Sequence, residues 1–373
     1  MTILFWFSAA VLFYVYLGYP LLLWIASSLS PKPTKRAPVE PTVSILLSVF
    51  NEEAVLPEKL ENLLCLDYPR EKREILVGSD GSTDRTEAIV KGYEKKGVRL
   101  VASSPRAGKP RMLNRLARQA TGDVLVFTDA RQTLDPKAIR FLVENFADPS
   151  VGCVSGELLL ESRGEALGEG VGFYWSYEKF IRQKESAIDS VIGATGALYA
   201  LRKSLFRELP DETILDDVYL PMQAVSLGFR TLFEPRALVF DEVSSSARKE
   251  YDRKVRTLAG NYQSFIQLAP MLNPFQSRVA AQFLSHNLLR ILAPFFLIAL
   301  FLSNGYLLKH PFYRILFIGQ MLFYGVASLG ALAPAAIRRF FSAPYVFCLL
   351  NLSALAGLYR FLTGRQQVTW KTK

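Results

Sequence analysis

The chain has 373 residues, half of them hydrophobic, and carries 44 Lys and Arg residues against 34 Asp and Glu residues. This length and composition exclude a disordered chain, a fibrous repeat and a small disulfide-stapled domain. The basic excess is more typical of charges that flank membrane spans than of a nucleic-acid surface, so no nucleic-acid partner is expected. The three cysteines lack metal-type pair spacing, which indicates neither a disulfide framework nor a zinc site.

Residues 1–30 are predicted to form a transmembrane helix. No charged residue precedes Lys32, and the apolar stretch exceeds the roughly 20 residues that cross a bilayer. An uncleaved anchor is favoured over a cleaved signal peptide, because such peptides carry basic residues before a shorter apolar core. Residues 31–41 form a Pro-rich linker. By the positive-inside rule, the next domain is placed in the cytoplasm by the basic residues of this linker, Lys32, Lys35 and Arg36.

Residues 42–260 alternate between short apolar strands and segments with a helical spacing of apolar residues. Each predicted strand is almost continuously apolar, and a predicted helix follows it. This pattern is typical of an α/β fold with a parallel sheet that is covered by helices on both faces. The predicted strands are Val43–Val49, Glu74–Ser79, Val98–Ala102 and Asp123–Thr128.

The carboxyl-terminal part is predicted to be membrane-bound. Residues 261–290 alternate apolar clusters with prolines and charged residues, which favours amphipathic helices in the membrane interface. Residues 291–362 contain about three transmembrane segments, followed by a basic tail at residues 363–373. Counting spans from a cytoplasmic domain puts this tail outside, against its basic charge, so either the tail is external or one segment is re-entrant. The predicted segments are Ile291–Leu308, Ile315–Ile337 and Phe340–Tyr359.

Polar residues follow the predicted strands, at the edge where open α/β sheets bind their ligands. Asp80 is a candidate to accept hydrogen bonds from a nucleotide, although a turn with a helix cap is the simpler explanation of this residue alone. Asn51 and Glu52 stand beside it, and Lys109 adds positive charge to the same edge. Asp129 offers an oxygen ligand that suits Mg²⁺ or Mn²⁺ next to a diphosphate.

Asp216 and Asp217 form a carboxylate pair at the start of another predicted helix. Helix capping explains one acidic residue at such a position but does not require two. Sugar transfer to a hydroxyl needs a base that takes the acceptor's proton as the anomeric carbon is attacked. Asp217 is the candidate for this base.

In order along the chain, these motifs resemble those of the membrane-integrated family 2 glycosyltransferases, which include cellulose, hyaluronan, chitin and poly-N-acetylglucosamine synthases. One motif alone would be weak, whereas the whole set in the right order is specific. The resemblance runs from about Val43 to Arg256 and covers most of the chain. Its motifs are Asn51-Glu52, Asp80-Gly81-Ser82, Gly108-Lys109 through Asn114, Thr128-Asp129-Ala130, Gly193-Ala194-Thr195-Gly196-Ala197, Asp216-Asp217 and Arg253-Lys254-Val255-Arg256.

The resemblance implies a GT-A fold and transfer with inversion at the anomeric carbon. It makes Asp217 the general base and Asp129 the first acid of a metal-binding Asp-x-Asp motif, with Mg²⁺ or Mn²⁺ as the expected cofactor. Asp80 is expected to contact the uracil of a UDP-sugar. The donor side would comprise Asn51, Glu52, Asp80, Lys109, Asp129, Arg253 and Arg256. The acceptor side would comprise Gly193, Thr195, Gly196 and Asp216.

Three positions depart from the family pattern. Arg131 replaces the second acid of Asp-x-Asp, so either a metal rests on Asp129 and the diphosphate alone, or the arginine replaces part of the metal's charge. Asp216 replaces a Glu, which keeps the charge and shortens its reach. Thr257 replaces a Trp that is associated with processive synthases, in which an aromatic face stacks on the terminal sugar. This last change leaves single transfer open beside polymerisation.

The sequence therefore predicts an inverting glycosyltransferase at the inner membrane, with a cytoplasmic catalytic domain. Its partners would be a nucleotide-sugar donor, expected to be UDP-linked, a saccharide or lipid-linked acceptor, and membrane lipids. Cell-surface polysaccharide synthesis is the first expectation, and single-sugar transfer to a polyprenyl phosphate carrier is the alternative. A non-catalytic membrane subunit with a GT-A fold is an alternative from another class, supported only by Arg131.

Overall fold

The computed structural model describes residues 1–161, 167–242, 247–332 and 341–366. It begins with one continuous and largely apolar helix, α1 (Thr2–Leu29). Just beyond this helix, Lys32 Nζ lies 2.6 Å from Asp189 Oδ2. The linker is therefore fastened to the central domain by an ion pair.

The central domain is built on one sheet of eight strands. The strands are β1 (Val43–Val49), β2 (Arg73–Asp80), β3 (Val98–Ser103), β4 (Val124–Thr128), β5 (Thr133–Leu134), β6 (Val151–Glu161), β7 (Leu198–Arg202) and β8 (Arg230–Glu242). Their spatial order is β3-β2-β1-β4-β7-β6-β8-β5. Neighbouring strands are consecutive in the chain only for β1 to β3 and for β6 and β7. Beyond β4 the pairing changes from parallel to mixed.

The first half of the sheet has the parallel arrangement that the sequence predicts. β1 lies between β2 and β4 and runs parallel to both. All three strands are almost completely buried, which agrees with their continuous apolar sequence. Because parallel strands end at one edge, Asn51, Asp80 and Asp129 lie along the same edge of the sheet.

The second half is mixed, whereas the strand-helix pattern predicts a parallel sheet. β7 runs antiparallel to β4, and its first residue, Leu198, pairs with Thr128 at the end of β4. The reason is that residues 193–197 enter the sheet from the edge at which β4 ends. This reversal brings the 193–197 loop to the same edge as Asp129.

Helices cover both faces of the sheet. They are α2 (Leu56–Leu64), α3 (Thr86–Gly92), α4 (Lys109–Gln119), α5 (Ala138–Glu144), α6 (Leu167–Ile188), α7 (Asp216–Ser226) and α8 (Ala247–Gln267). Leu60 of α2 and Leu142 of α5 are fully buried in the core on one face. Leu113 and Leu116 of α4 are buried on the other face.

Three further long apolar helices follow, α9 (Ala280–Tyr306), α10 (Pro311–Leu332) and α11 (Ser342–Leu362). Together with α1, they are the helices of the described residues that are long and apolar enough to cross a membrane. Residues 333–337 and Phe340, which the sequence assigns to predicted spans, lie outside the described residues, as does the tail from residue 367.

The start of α9 differs from the expected layout, in which residues 261–290 lie in the membrane interface. The helix begins at Ala280 and continues without a break into the first of these carboxyl-terminal spans. The charged residues in this stretch have partners in the fold: Arg290 contacts Glu178, and His286 Nε2 lies 3.1 Å from Glu178 Oε2. Because these charges are paired inside the protein, this stretch can be continuous with a span.

Candidate active site

Asp80, the last residue of β2, shapes the loop that precedes α4. One of its carboxylate oxygens accepts a hydrogen bond from Ala107 N at 2.7 Å, and the other accepts one from Gly108 N at 2.8 Å. Gly81 is required next to it, because its φ is +72° and a Cβ there would lie 2.9 Å from Arg106 N. The Asp80 carboxylate is thus engaged by the protein's own backbone.

Asn51 joins the loops that follow β1 and β2. Its φ of 50° lies in the left-handed region, which asparagine tolerates. Asn51 Nδ2 donates to Thr83 Oγ1 at 3.2 Å, and Asn51 Oδ1 accepts a bond from Thr83 N at 2.8 Å. Asp84 Oδ1 accepts from Thr86 N at 2.9 Å. Asp84 therefore closes a turn before α3, whose N-cap residue, Arg85, makes no side-chain capping hydrogen bond.

Glu52 and Arg131 form an ion pair across the same edge, with Arg131 Nη2 3.1 Å from Glu52 Oε1. Arg131 Nε also donates to Glu52 Oε1 at 3.2 Å. The arginine that replaces the second acid of Asp-x-Asp therefore neutralises Glu52. It holds this side chain against the end of β4.

Lys109, the first residue of α4, lies between two carboxylates. Its Nζ is 3.0 Å from Asp129 Oδ1 and 3.2 Å from Asp216 Oδ1. The Tyr199 hydroxyl donates to the other oxygen of Asp216 at 3.0 Å. Burial alone would lower the pKa of Lys109, but Asp129, Asp216 and Asp217 raise it above its ordinary value. The ammonium therefore stays charged. Asp129, Asp216 and Asp217 are together called the carboxylate cluster.

Asp217 has a perturbed proton affinity. Burial and the neighbouring Asp216 carboxylate raise the pKa of Asp217 to about 7, while Lys109 opposes the shift. A general base works best when its pKa is near the working pH. Asp217 therefore has a proton affinity suited to the role that the sequence predicts.

The 193–197 loop packs directly against Asp217. Ala194 N donates to the backbone carbonyl of Asp217 at 2.6 Å. Gly193 has a φ of +82°, and a Cβ on Gly196 would lie 2.8 Å from Asp217 Oδ2. Glycine at these two positions lets the loop approach the carboxylate closely.

The two arginines predicted on α8 occupy different environments. Arg256 is partly buried and interacts electrostatically with all three acids of the carboxylate cluster. The side chain of Arg253 is 48% exposed and lies 3.6 Å from Asp241 Oδ2. Gln132 Nε2 donates to the same oxygen of Asp241 at 3.1 Å. The fold thus brings Arg256 to the cluster and leaves Arg253 at the rim.

A pocket opens at the ends of β1, β2 and β4, beside the carboxylate cluster. The Arg106 guanidinium stacks over Phe50 there, 3.5 Å from the ring centroid. The pocket is also lined by Glu52, Asp80, Lys109, Asp129 and Arg131. A larger groove lies between the linker and α6, but none of its described lining residues is acidic. The pocket beside the carboxylate cluster is therefore the candidate active site.

The residues present fit a divalent cation that arrives with a diphosphate. Within the described parts of the chain, no three His, Cys, Asp or Glu side chains are grouped so that they could hold a metal ion. Asp129 offers a single carboxylate. Mg²⁺ is commonly held by one or two carboxylates together with substrate phosphates. Asp129 is thus the candidate ligand, and a bound diphosphate would supply further oxygens.

Sequence reasoning missed Lys59, a lysine that is only 3% exposed. Its Nζ donates to Thr128 Oγ1 at 3.0 Å and to the Gln132 carbonyl at 2.7 Å. Burial lowers the pKa of Lys59 to about 7. Thr128 in turn donates to the Ala197 carbonyl at 2.9 Å, so Lys59 supports the 193–197 loop. The available signal was a lysine on the apolar face of α2, one turn after Leu56.

Ser155 and Arg182 were also missed. Ser155 Oγ accepts a bond from Thr195 N at 3.0 Å and another from Arg182 Nη2 at 2.8 Å. Thr195, which the sequence predicts on the acceptor side, is therefore held by its backbone. These contacts join β6, α6 and the 193–197 loop, which are distant in the chain, so no local pattern indicates them.

Comparison with known proteins agrees with this geometry. The family described as "Glycosyl transferase family 2" matches residues 44–209. Residues 44–209 form a glycosyl transferase family 2 domain. Poly-beta-1,6-N-acetyl-D-glucosamine synthase of Staphylococcus aureus is 27% identical over 249 residues, which cover 65% of this chain and 60% of the synthase. A Bacillus subtilis protein named as a probable glycosyltransferase, YdaM, is 28% identical over 236 residues, 59% of this chain and 55% of that protein.

The fold is shared with a solved archaeal structure. Mannosyltransferase PcManGT from Pyrobaculum calidifontis, solved with GDP-Man and Mn²⁺, superposes with a TM-score of 0.75 at 23% identity. The match covers 97% of this family 2 chain and 99% of the archaeal one. The predicted family and the GT-A fold with flanking apolar helices are thus confirmed. The chain spans about 60% of the length of the Staphylococcus aureus synthase.

Proposed function

We propose that this family 2 glycosyltransferase moves a sugar from a nucleotide sugar to a saccharide or lipid-linked acceptor at the inner face of the membrane. The observation that carries the proposal is the partly buried Asp217, which has a raised pKa and lies beside two cations, Lys109 and Arg256. A base next to concentrated positive charge is what sugar transfer from a diphosphate requires.

The reaction would be a single displacement. The Asp217 carboxylate takes the proton of the acceptor hydroxyl, and the oxygen forms a bond to the anomeric carbon. The bond from that carbon to the diphosphate breaks on the opposite side, which inverts the configuration. Lys109 and Arg256 stabilise the negative charge that collects on the leaving diphosphate. A divalent cation bound to Asp129 and the diphosphate would neutralise more of this charge.

The donor side is assigned to the pocket at the strand ends. Asn51 and Asp80 shape its loops, Glu52 and Arg131 border it, and the Arg106 guanidinium stacked on Phe50 offers a flat surface for a base. The carrier is proposed to be UDP, as the family resemblance implies. Because PcManGT was solved with GDP-Man, a GDP-linked donor is the alternative to be tested.

Polysaccharide synthesis is supported by the similarity to poly-beta-1,6-N-acetyl-D-glucosamine synthase over 65% of this chain. Thr257 favours single transfer to a lipid-linked carrier instead. It is exposed, and its hydroxyl donates to the Arg253 carbonyl at 3.1 Å, so this position offers no aromatic surface for a growing chain. Product length after a multiple-turnover reaction separates the two.

The cytoplasmic orientation is also part of the proposal. It rests on the basic residues that follow α1 and on the dependence of the reaction on cytoplasmic nucleotide sugars. A cysteine introduced beside the exposed Arg111–Asp211 ion pair would test this orientation. Its accessibility to a membrane-impermeant thiol reagent is measured in vesicles. Labelling in inside-out but not right-side-out vesicles is expected, and the reverse pattern would place the domain outside.

The central test is nucleotide release by the detergent-purified chain with UDP-, GDP- and TDP-sugars, each with Mg²⁺, Mn²⁺ or EDTA and with membrane lipid extract as acceptor. We expect release from one carrier class, dependent on the metal and absent in Asp217→Asn. Absence of release with every donor, with and without the extract, would overturn the proposal and support the non-catalytic alternative.

A further inference from the structure

One face of α6 carries charged residues that are buried or partly buried in the fold. Glu178, Arg182 and Glu185 follow at helical spacing, and Asp189 continues the same face just beyond the helix. Glu185 is 0% exposed and Asp189 is 6% exposed. Charges in such positions are costly unless they are paired, so the partners of each indicate what this face holds in place.

Arg182 is directed to the sheet. Its Nη2 donates to Ser155 Oγ at 2.8 Å, and its guanidinium carbon lies 4.9 Å from the centroid of the Phe233 ring. Ser155 is 0% exposed, and its hydroxyl donates to the Gly156 carbonyl at 3.0 Å. The same oxygen accepts the bond from Thr195 N at 3.0 Å. Its donor and both acceptor positions are thus used, and Arg182 fixes the oxygen on which Thr195 depends.

The 193–197 loop passes this constraint to the base. Its Ala194 N donates to the Asp217 carbonyl at 2.6 Å, and a Cβ on Gly196 would lie 2.8 Å from Asp217 Oδ2. There is thus little free space between loop and carboxylate. Arg182 also interacts electrostatically with Asp217. A shift of the loop at Thr195 would therefore displace Asp217 or open a gap beside it.

Glu178 and Glu185 of this face fasten α6 to the membrane helices. Glu185 Oε1 accepts from the Tyr19 hydroxyl at 2.6 Å and lies 2.9 Å from His286 Nδ1. At these contacts, α1 and α9 both widen into π-helical turns, over Tyr14–Gly18 and Phe283–Leu288. Such turns are frequent at functional sites. The position of α6, and with it Arg182, is thus defined by two apolar helices of the membrane region.

We infer that Arg182 is a positioning residue that holds the 193–197 loop, and through it Asp217, in a fixed place relative to α6 and the membrane helices. Its effect on turnover rests on the proposed function, whereas its effect on the loop does not. A displacement of a reacting group by about 1 Å can lower the reaction rate by about 100-fold. Arg182 would therefore matter for rate more than for donor binding.

The experiment compares Arg182→Gln, Arg182→Lys and Ser155→Ala with the matched control Arg202→Gln. Arg202 is also a partly buried arginine, but it donates to the carbonyls of Val151, Phe146 and Asp148 at the far end of β7. Two readouts are taken on the full chain in detergent. One is hydrogen–deuterium exchange of peptides that cover residues 193–197, and the other is kcat and donor KM.

We expect Arg182→Gln and Ser155→Ala to raise exchange in the 193–197 loop by about tenfold or more. Arg182→Gln should lower kcat by about 10- to 100-fold while donor KM changes little. Arg182→Lys should recover much of both losses, because an ammonium can still donate to Ser155 Oγ. Arg202→Gln should change exchange in this loop no more than elsewhere in the domain.

Unchanged exchange in the loop of Arg182→Gln would overturn the inference, and so would an equal increase in Arg202→Gln. A rise in donor KM with constant kcat would also overturn it, because Arg182 would then contact substrate directly. If the wild-type chain released no nucleotide at all, the proposed function would fail, and the exchange comparison would still decide whether Arg182 holds the loop.

Discussion

Two regions of the sheet edge use acidic side chains in opposite ways. After β1 and β2, each of two carboxylates is satisfied by partners within the protein. Asp80 accepts two backbone N–H bonds, and Glu52 pairs with Arg131. Around Lys109, the three acids of the carboxylate cluster share two cations, and the pKa of Asp217 is raised. The first region is a satisfied scaffold, whereas the second keeps like charges close together.

The difference indicates which carboxylates lower the stability of the folded state in favour of the proposed chemistry. A buried carboxylate beside another carboxylate destabilises the folded state when both are ionised, so such a pair persists where the perturbed proton affinity is used. The loops after β1 and β2 have no such conflict, and their acids define the shape of the pocket. This comparison separates residues that shape the site from residues that are proposed to react, and each can be tested by substitution.

The largest effect is expected for Asp217→Asn. Loss of the base should lower turnover by about 10³-fold, while binding of a nucleotide diphosphate is retained. Nucleotide release and calorimetric binding on the same preparation measure the two quantities. Asp211→Asn is the matched control, because Asp211 is an exposed acid paired with Arg111 on the surface. Turnover of Asp217→Asn within about tenfold of the wild type would remove Asp217 from the reaction.

The next effect is expected for Lys109→Met. Without this ammonium the leaving diphosphate loses a stabilising charge, so turnover should fall by about 100-fold. The pKa of Asp217 should also rise further, because Lys109 opposes its shift. Steady-state rates across pH measure both changes. Arg111→Met, on the same helix but at the surface, should leave both unchanged, and an equal loss in that control would assign the effect to α4 rather than to the charge.

A smaller, graded effect is expected from pH. The base must be ionised, and the pKa of Asp217 is raised to about 7. The rate should therefore fall about tenfold per pH unit below that value and level off above it. Asp216→Asn removes the neighbouring like charge, so the acidic limb of the pH–rate profile should move to lower pH by about one unit. A limb that stays in place would mean that Asp216 does not set the proton affinity of the base.

Much of this comparison could be predicted from local sequence patterns. The apolar strands β1, β2 and β4 and the polar residues after them gave the parallel half of the sheet and one edge for Asn51, Asp80 and Asp129. Register follows from such patterns because parallel neighbours with buried faces end at the same edge. The Asp216-Asp217 pair was singled out because a helix cap does not need two acids.

The supporting contacts could not be predicted in the same way. Lys59, Ser155 and Arg182 act through hydrogen bonds between segments far apart in the chain, and hydrophobic periodicity carries no information about such bonds. The antiparallel direction of β7 depends on the edge from which the 193–197 loop enters the sheet. The charged side chains of residues 280–290 pair with Glu178 and Glu185, which a local pattern does not show.

The most direct test of the contrast between the two regions is thermal unfolding of Asp80→Asn and Asp217→Asn at pH 8, in one detergent. Because the folded-state pKa of Asp217 is raised to about 7, its stabilising contribution is present below the ordinary aspartate value and lost as pH rises through that higher value. Asp217→Asn should therefore raise stability by about 1–3 kcal/mol. Asp80→Asn replaces one of the two acceptor oxygens with an NH₂ donor that faces a backbone N–H, and it should lower stability by about 2 kcal/mol. Shifts of the same sign would contradict the division into a satisfied scaffold and a reactive cluster.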